Sequence, residues 1–426
     1  MANMDNMKIC PILSAKIMSQ SIEELPVIVQ MAGRNQELEN GIKNLSTKIK
    51  TSLPLINGIA CSLTTDVIYR LANSPDIQYI SFDSKVFTQL DIGAPAIKSN
   101  YAHKLEYSGK NITVAVVDTG VAPHQDLIRP YNRIVGFKDF INNRDKPYDD
   151  NGHGTHVAGI IAGNGYSSRG RYTGIAPEAN ILAIKALDSE GSGNTSNIIS
   201  AISHIVNTKD TYGTKVINLS IGSPANSSCR NDPLCRAVVE AMNKGIVVVA
   251  AAGNSGPGAN TIASPGINPN VITVGASNDN RTIDVADDTI ANFSSRGPTI
   301  EGVSKPDLVA PGVNINSLSN TSLDGYRSSS GTSMAAPFIS GTVALMLEKN
   351  KSLTPKEIKR ELVNACISLN NNRESQGAGL VDLEKLFYVK GIEKREDVVG
   401  RKPPKKDGDM FEMVLVLFLV IMLLDR

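Results

Sequence analysis

Five short β-rich runs stand at residues 112–117, 180–186, 216–219, 246–251 and 271–274, and several are apolar on what would be both faces of a strand. A strand with one face in water alternates apolar and polar residues. One without alternation has to be covered on both sides, which points to a parallel sheet enclosed by helices. Helical patterns intervene at residues 156–163, 195–208, 234–244, 333–350 and 354–364. The last opens on Thr354-Pro355 with Glu357 close behind: a cap, a first-turn proline and an early acid. This alternation predicts an α/β fold, a mainly parallel sheet flanked by helices, with its site at the carboxyl ends of the strands. A chain of 426 residues, 41% of them hydrophobic, accommodates one large domain of that kind plus appendages.

The appendages are legible at both ends. Residues 1–90 read as a small separate α+β unit, with strands at 26–31, 53–63 and 77–82 and helices at 37–48 and from about Thr65. Its sheet would pack one face on its own helices and offer the other face or an edge to a partner. Residues 91–388 contain the parallel-sheet pattern. Residues 389–426 form a tail in which Arg401-Lys402-Pro403-Pro404-Lys405-Lys406 marks a solvated linker. The apolar run 413–424 that follows is too short for a full span: about 18 Å as a helix against about 30 Å of hydrocarbon. Shallow membrane contact, packing on the body and an aggregation-prone end all remain open for it.

A net charge of +1 and the lack of a basic stripe give no reason to expect nucleic-acid binding. Five cysteines are too few for a disulfide framework. Cys229 and Cys235 bracket a short polar loop and could pair in an oxidising environment, but two free thiols is the favoured reading. No Cys/His spacing suggests a metal site. Residues 1–20 hold no apolar run long enough for a secretory signal, so cytoplasmic residence is expected.

Four glycine-bordered segments carry chemistry. Asp118 ends the apolar run 112–117 and opens Asp118-Thr119-Gly120, where turn amides can hold its carboxylate. From there it can orient a histidine and stabilise its imidazolium. Gly152-His153-Gly154-Thr155-His156-Val157-Ala158-Gly159 offers two histidines. His156 is preferred as the base over His153, because the segment places it inside the helix start. Ser333, in Gly331-Thr332-Ser333-Met334-Ala335-Ala336-Pro337, sits where a helix dipole and free amides favour developing negative charge. Met334 beside it predicts sensitivity to oxidants. Asn254, in Gly253-Asn254-Ser255-Gly256, supplies a side-chain amide that can join the Ser333 N–H in binding an oxyanion. A nucleophile, a base, an orienting acid and an oxyanion donor are together what serine-dependent acyl transfer needs, in the chain order Asp, His, Ser.

These segments, with Tyr148-Asp149-Asp150-Asn151 and Asn292-Phe293-Ser294-Ser295-Arg296-Gly297-Pro298, resemble the subtilase family of serine proteases over residues 109–383, closest to its bacterial intracellular AprX-type members. The resemblance implies a serine endopeptidase of the EC 3.4.21 class with Asp118, His156 and Ser333 as triad and Asn254 as oxyanion donor. It places Ser192, Gly193, Ser220, Ile221 and Gly222 on two edge segments between which substrate inserts as a strand. It makes Ala251, Ala252 and Gly253 the wall of the primary pocket, with Ala263 near its floor. No acid lies among these, so an apolar or aromatic residue is expected before the scissile bond. Ser264–Pro265 resembles a position that is often cis. No cofactor is implied for catalysis. Residues 163–174 lack the asparagine-rich pattern of a tight calcium site, although Asp126 stands at a matching position, so a structural calcium is only weakly supported. The N-terminal unit resembles a propeptide, expected to act as intramolecular inhibitor and folding aid, with self-cleavage near Gln89 or Leu90. Polypeptides are the expected substrates. An inactive peptide-binding scaffold and a membrane-surface processing enzyme using residues 413–424 are the competing readings.

Overall fold

The computed structural model describes residues 8–10, 13–14, 17, 24–83, 92–225 and 227–388. Period-two alternation builds the N-terminal unit. In β1 (Glu24–Met31), Leu25, Val27, Val29 and Met31 are buried and the residues between them partly exposed. That face packs with Ile42 of α1 (Gln36–Leu45) and with residues of β3 (Gly58–Thr64), α2 (Thr65–Ala72) and β4 (Ile77–Phe82) in a core of its own. With β2 (Lys48–Leu53), the strands form an antiparallel sheet in the order β2-β3-β1-β4. The sequence reads residues 53–63 as one strand, and the structure divides it. Pro54–Ile56 form a turn of 3₁₀ helix, Asn57 adopts a left-handed φ of 47°, and β2 folds back on β3 as a hairpin. Asparagine tolerates that conformation better than most residues.

The larger sheet is parallel along β6-β7-β5-β8-β9-β10-β12-β16, where β5 is Thr113–Asp118, β6 Ile134–Asp139, β7 Asn180–Lys185, β8 Thr214–Leu219, β9 Val247–Ala251, β10 Ile272–Asn278, β12 Leu308–Pro311 and β16 Leu380–Val381. Two short strands, β11 (Thr289–Ile290) and β15 (Cys366–Ile367), add antiparallel pairs. A separate hairpin pairs β13 (Ile315–Leu318) with β14 (Tyr326–Ser329).

All six residues of β5 are buried, and they divide between two cores. Val114 and Val116 pack with Val157 and Ile160 of α3 (His153–Ala162) and Phe338 and Ile339 of α6 (Thr332–Lys349). Ala115 and Val117 pack with Ile198 and Ile202 of α4 (Thr195–Tyr212) and Val238 of α5 (Pro233–Asn243). The unalternating runs therefore mean what the sequence predicts: a sheet covered on both faces. Helix α6 is buried almost all round, as a central helix must be. The Ser264–Pro265 bond is cis.

Candidate active site

The carboxyl ends of β5, β8 and β9 open on one cleft, and each delivers a polar group to it. Asp118, the last residue of β5, is fully buried. Its Oδ1 accepts the Thr119 amide at 2.8 Å and lies 2.7 Å from His153 Nδ1. His153 is the first residue of α3, following Gly152 at φ 100°. Gly154 allows the approach: a Cβ there would lie 2.1 Å from the Gly120 carbonyl oxygen and 3.0 Å from Asp118 Cβ. The turn is also tied down by Asp149. Its carboxylate accepts the amides of Asn151, Gly152 and Thr155 and the hydroxyls of Thr119 and Thr155. Thr119 Oγ1 in turn accepts the Gly154 amide at 3.0 Å.

This geometry corrects the expectation for His156. The helix starts at His153, three residues earlier than the sequence pattern suggests, so His156 lies one turn deeper on the same face. It is fully buried, its Nε2 against the Ile315 and Arg327 carbonyls at 3.0 and 3.1 Å. Burial, with help from the Arg327 charge, pushes its pKa down to about 3. It is therefore a neutral core histidine. His153 shifts the other way. Burial opposes its charging, but the Asp118 charge and hydrogen bond outweigh burial and hold its pKa above the usual imidazole value. With Nδ1–H donated to Asp118, the neutral ring keeps its lone pair on Nε2.

Ser333 lies in the first turn of α6 and is partly exposed. Its hydroxyl donates to the Ser220 carbonyl at 2.9 Å, and its own carbonyl accepts the Ser220 hydroxyl at 2.9 Å. The second bond depends on Pro337. A helical residue at that position would donate its N–H to the Ser333 carbonyl; proline has none, and Ser220 fills the place. Asn218 donates to Ser220 Oγ and accepts from Ser340, so the serine's support is a buried polar chain. Asn254 follows β9 in an exposed loop. Its Oδ1 accepts both the amide and the hydroxyl of Thr332, at 2.9 and 3.0 Å, which leaves Nδ2 as its free donor.

Two cavities meet at Ser333. One, of about 610 Å³, is lined by His153, Ser192, Gly193, Ser220, Ile221 and Gly222 together with Leu187, Ile198 and Leu234. The other, of about 380 Å³, is lined by Gly222, Ala251, Gly253, Asn254 and Ala263 among others. Gly222 keeps the second open, since a Cβ there would lie 2.7 Å from Ala263 Cβ. Ala252 does not line it, contrary to expectation. Its neighbours Ala251 and Gly253 face the cavity, and Ala252 alternates to the opposite side, packing with Cys235, Ile262 and Ile267. Gln89, Leu90 and the run 413–424 lie outside the described residues.

Asp126 does not fit a calcium site. Its carboxylate already accepts the Ser167 amide and the Tyr326 hydroxyl, both at 2.8 Å. Its carbonyl, with those of Ala162 and Ala179, accepts the buried guanidinium of Arg133. Hydrogen-bond donors and a resident cation thus occupy oxygens a calcium ion would need. Among the described residues no group of three or more His, Cys, Asp or Glu side chains is arranged to hold a metal.

Sequence reasoning did not single out Thr119, Asp149, Thr332 or Lys185. Lys185 is fully buried and donates to Asp150 and to the Thr119 and Leu187 carbonyls, pinning the Asp118 turn from below. A signal existed for Asp149, an acid just ahead of a helix start. A lysine ending an apolar strand gives none.

A buried acid, a histidine bonded to it and a partly exposed serine, set around a cleft at the ends of parallel strands, define a serine hydrolase. Residues 109–380 match the subtilase family. The chain belongs to that family and is a serine peptidase, hydrolysing peptide bonds. It is 41% identical to Serine protease AprX of Bacillus subtilis (strain 168) over 83% of this chain and 83% of that protein. It is 38% identical to Subtilisin DY of Bacillus licheniformis, over 68% of this chain and 96% of that one. Among solved structures, Sphericase matches with a TM-score of 0.56 at 31% identity over 71% of this chain and 95% of its own. The S41 Psychrophilic Protease matches with 0.58 at 31% over 70% and 99%.

Proposed function

We propose that this peptidase cleaves within polypeptides through Asp118, His153 and Ser333. The observation that carries the assignment is the 2.7 Å contact of His153 with Asp118 on the wall of the cavity that Ser333 shares. For the reaction the Ser333 hydroxyl would leave the Ser220 carbonyl for His153, which lines the same cavity. His153 Nε2 removes the hydroxyl proton as Oγ adds to the substrate carbonyl, and Asp118 stabilises the resulting imidazolium. The Ser333 N–H and Asn254 Nδ2 are the donors for the oxyanion. His153 then protonates the departing amine, and water hydrolyses the acyl-enzyme by the reverse sequence.

The cavity of about 380 Å³ is the pocket for the residue before the scissile bond. Among the described residues lining it there is no charged side chain, which favours an apolar or aromatic occupant. The edges Ser192-Gly193 and Ser220-Ile221-Gly222 would hold the substrate as an added strand. The N-terminal unit, with its own sheet and core, would serve as inhibitor until the enzyme cuts itself free.

Fluorophosphonate labelling with casein hydrolysis tests the triad. Wild type and His156→Gln are expected to label and cut; Ser333→Ala and His153→Ala are not. Labelling of His153→Ala at the wild-type rate would remove His153 from the base role, and no labelling of wild type with the N-terminal unit removed would favour a peptide-binding scaffold.

A further inference from the structure

The wall of the smaller cavity is backed by two cysteines that the peptidase chemistry does not use. Cys235 is fully buried in the first turn of α5, among Ala252, Ile262 and Ile267. Cys229 is half-buried and packs on the same cluster, as does Ala225, a residue of the cavity wall. Cys229 thus lies against the cluster that holds Cys235, and its sulfur accepts Asn268 Nδ2 at 3.1 Å. The connecting loop is already folded for this approach: Asp232 caps α5 by accepting the Leu234 and Cys235 amides, and its own amide donates to the Ser228 and Cys229 carbonyls. Both thiols are free.

We propose that Cys229 and Cys235 form a reversible thiol–disulfide site that fastens the wall of the substrate pocket. The oxidant is a disulfide of low molecular weight, such as oxidised glutathione. The Cys229 thiolate attacks one of its sulfurs, breaking that S–S bond and releasing one thiol. Cys235, its proton passed to solvent, then attacks the Cys229 sulfur and releases the second. Two protein thiols lose two electrons and two protons, and one external disulfide becomes two thiols.

Cys229 is the entry point because it is the more exposed and its sulfur accepts the Asn268 amide, which stabilises the thiolate. Burial still holds both thiols above their ordinary pKa, so exchange is slow at neutral pH and quickens as pH rises. Peroxide is the wrong reagent, because Met334 would oxidise alongside. The consequence for the pocket rests on the reading of that cavity given above. Ser223 pairs with Ser264 across it, and Pro224 and Ala225 continue its wall toward Cys229. A covalent tie removes freedom from this wall and leaves Asp118, His153 and Ser333 where they are.

Two readouts separate the chemistry from its effect. Full-length Ser333→Ala, which does not digest itself, is incubated with oxidised glutathione at mildly alkaline pH and mapped by mass spectrometry without reduction. The expected product is a peptide pair joined at Cys229–Cys235, two hydrogens lighter than the reduced form, with Cys10, Cys61 and Cys366 still titrating as thiols. Stable glutathione adducts or cross-linked chains in its place would overturn the site. Active enzyme treated the same way is expected to show a KM for a substrate with Phe before the scissile bond changed at least two-fold, with kcat unchanged. Dithiothreitol should reverse the change, and Cys229→Ser should lack it. A disulfide formed with KM unmoved would overturn the coupling to the pocket while leaving the peptidase assignment intact.

Discussion

At the scale of single residues, two histidines three positions apart have opposite electrostatic fates, and each has a measurable consequence. His153 must be neutral to accept a proton, and Asp118 holds its pKa above the free value of about 6.5. The acid limb of kcat/KM is therefore expected above that value. Arg327 works against Asp118 here, so Arg327→Gln should move the limb further up, in a pH profile on a neutral substrate. A limb below 6 would contradict the assignment. His156 reverses the sign. Its folded pKa is pushed down to about 3, so between about 6.5 and 3 the unfolded chain binds the extra proton and stability falls as pH falls. The slope from one such group is about 1.4 kcal/mol per pH unit. His156→Gln retains an amide donor for the Ile315 and Arg327 carbonyls and should flatten the loss of the urea midpoint between pH 6 and 4. An unchanged slope would mean His156 is protonated in the fold. Stability held by His153 runs the other way, present in acid and lost as pH rises through its raised folded pKa. The sequence pointed to this segment and preferred His156, whereas in the structure it is His153 that meets Asp118. The choice turned on where the helix begins, and a left-handed Gly152 moves that start by three residues. A helix boundary is a weak sequence signal, and here one turn of helix separates a histidine in the cleft from a histidine in the core.

At the scale of elements, the parallel strands and their helices were legible because burial on both faces leaves an unbroken apolar run. The hairpin at residues 48–64 was not, since its turn uses Pro54 and Asn57 inside a stretch otherwise apolar enough to pass for one strand. Ala252 was wrongly placed on the pocket wall for a related reason: resemblance names a segment, but alternation along the chain decides which of its side chains face a cavity. Segment geometry also fixes two predictions. Gly222→Ala would push a methyl against Ala263 across the smaller cavity. It should lower kcat/KM for a Phe substrate by ten-fold or so, about 1.4 kcal/mol, and for an Ala substrate much less. Equal losses on both would mean that cavity does not hold the residue before the scissile bond. Arg133 ties the Asp126 turn to the carbonyls of Ala162 and Ala179, which otherwise lack donors from it. Arg133→Met leaves the buried Ala162 and Ala179 carbonyls short of a partner, at roughly 1–3 kcal/mol each, while the Asp126 carbonyl keeps the Asn164 amide. It should lower the Tm steeply, and added calcium should not restore it. In the wild type a chelator should leave the Tm where it was; a fall of many degrees would show that calcium is held after all.

At the scale of the whole molecule, the question is what a separately cored N-terminal unit does beside a peptidase. The larger sheet joins strands far apart in sequence: β5 lies between β7 and β8, and β12 between β10 and β16. Parallel, non-local pairing of this kind has to close long loops before contacts reward it, so it folds slowly. The four strands of the N-terminal sheet lie within residues 24–82 and close over short distances, with Ile9 bridging to Ile80 at one edge. The sheet can therefore form early, and under the inhibitor role proposed above it would template the rest and be removed before substrate enters. If removal is by the enzyme's own site, it depends on Ser333. Intact mass of purified wild type is then expected to show loss of about the first 90 residues as casein hydrolysis appears, while Ser333→Ala stays full length and inert. Trimming of purified Ser333→Ala to the same product would point to an outside protease. A wild type that cuts casein while still full length would mean the N-terminal unit does not cover the cleft, and its role would have to be sought in folding alone. Refolding residues 92–426 with and without residues 1–90 added in trans separates that last case, since only a folding aid restores activity to chains that were never inhibited.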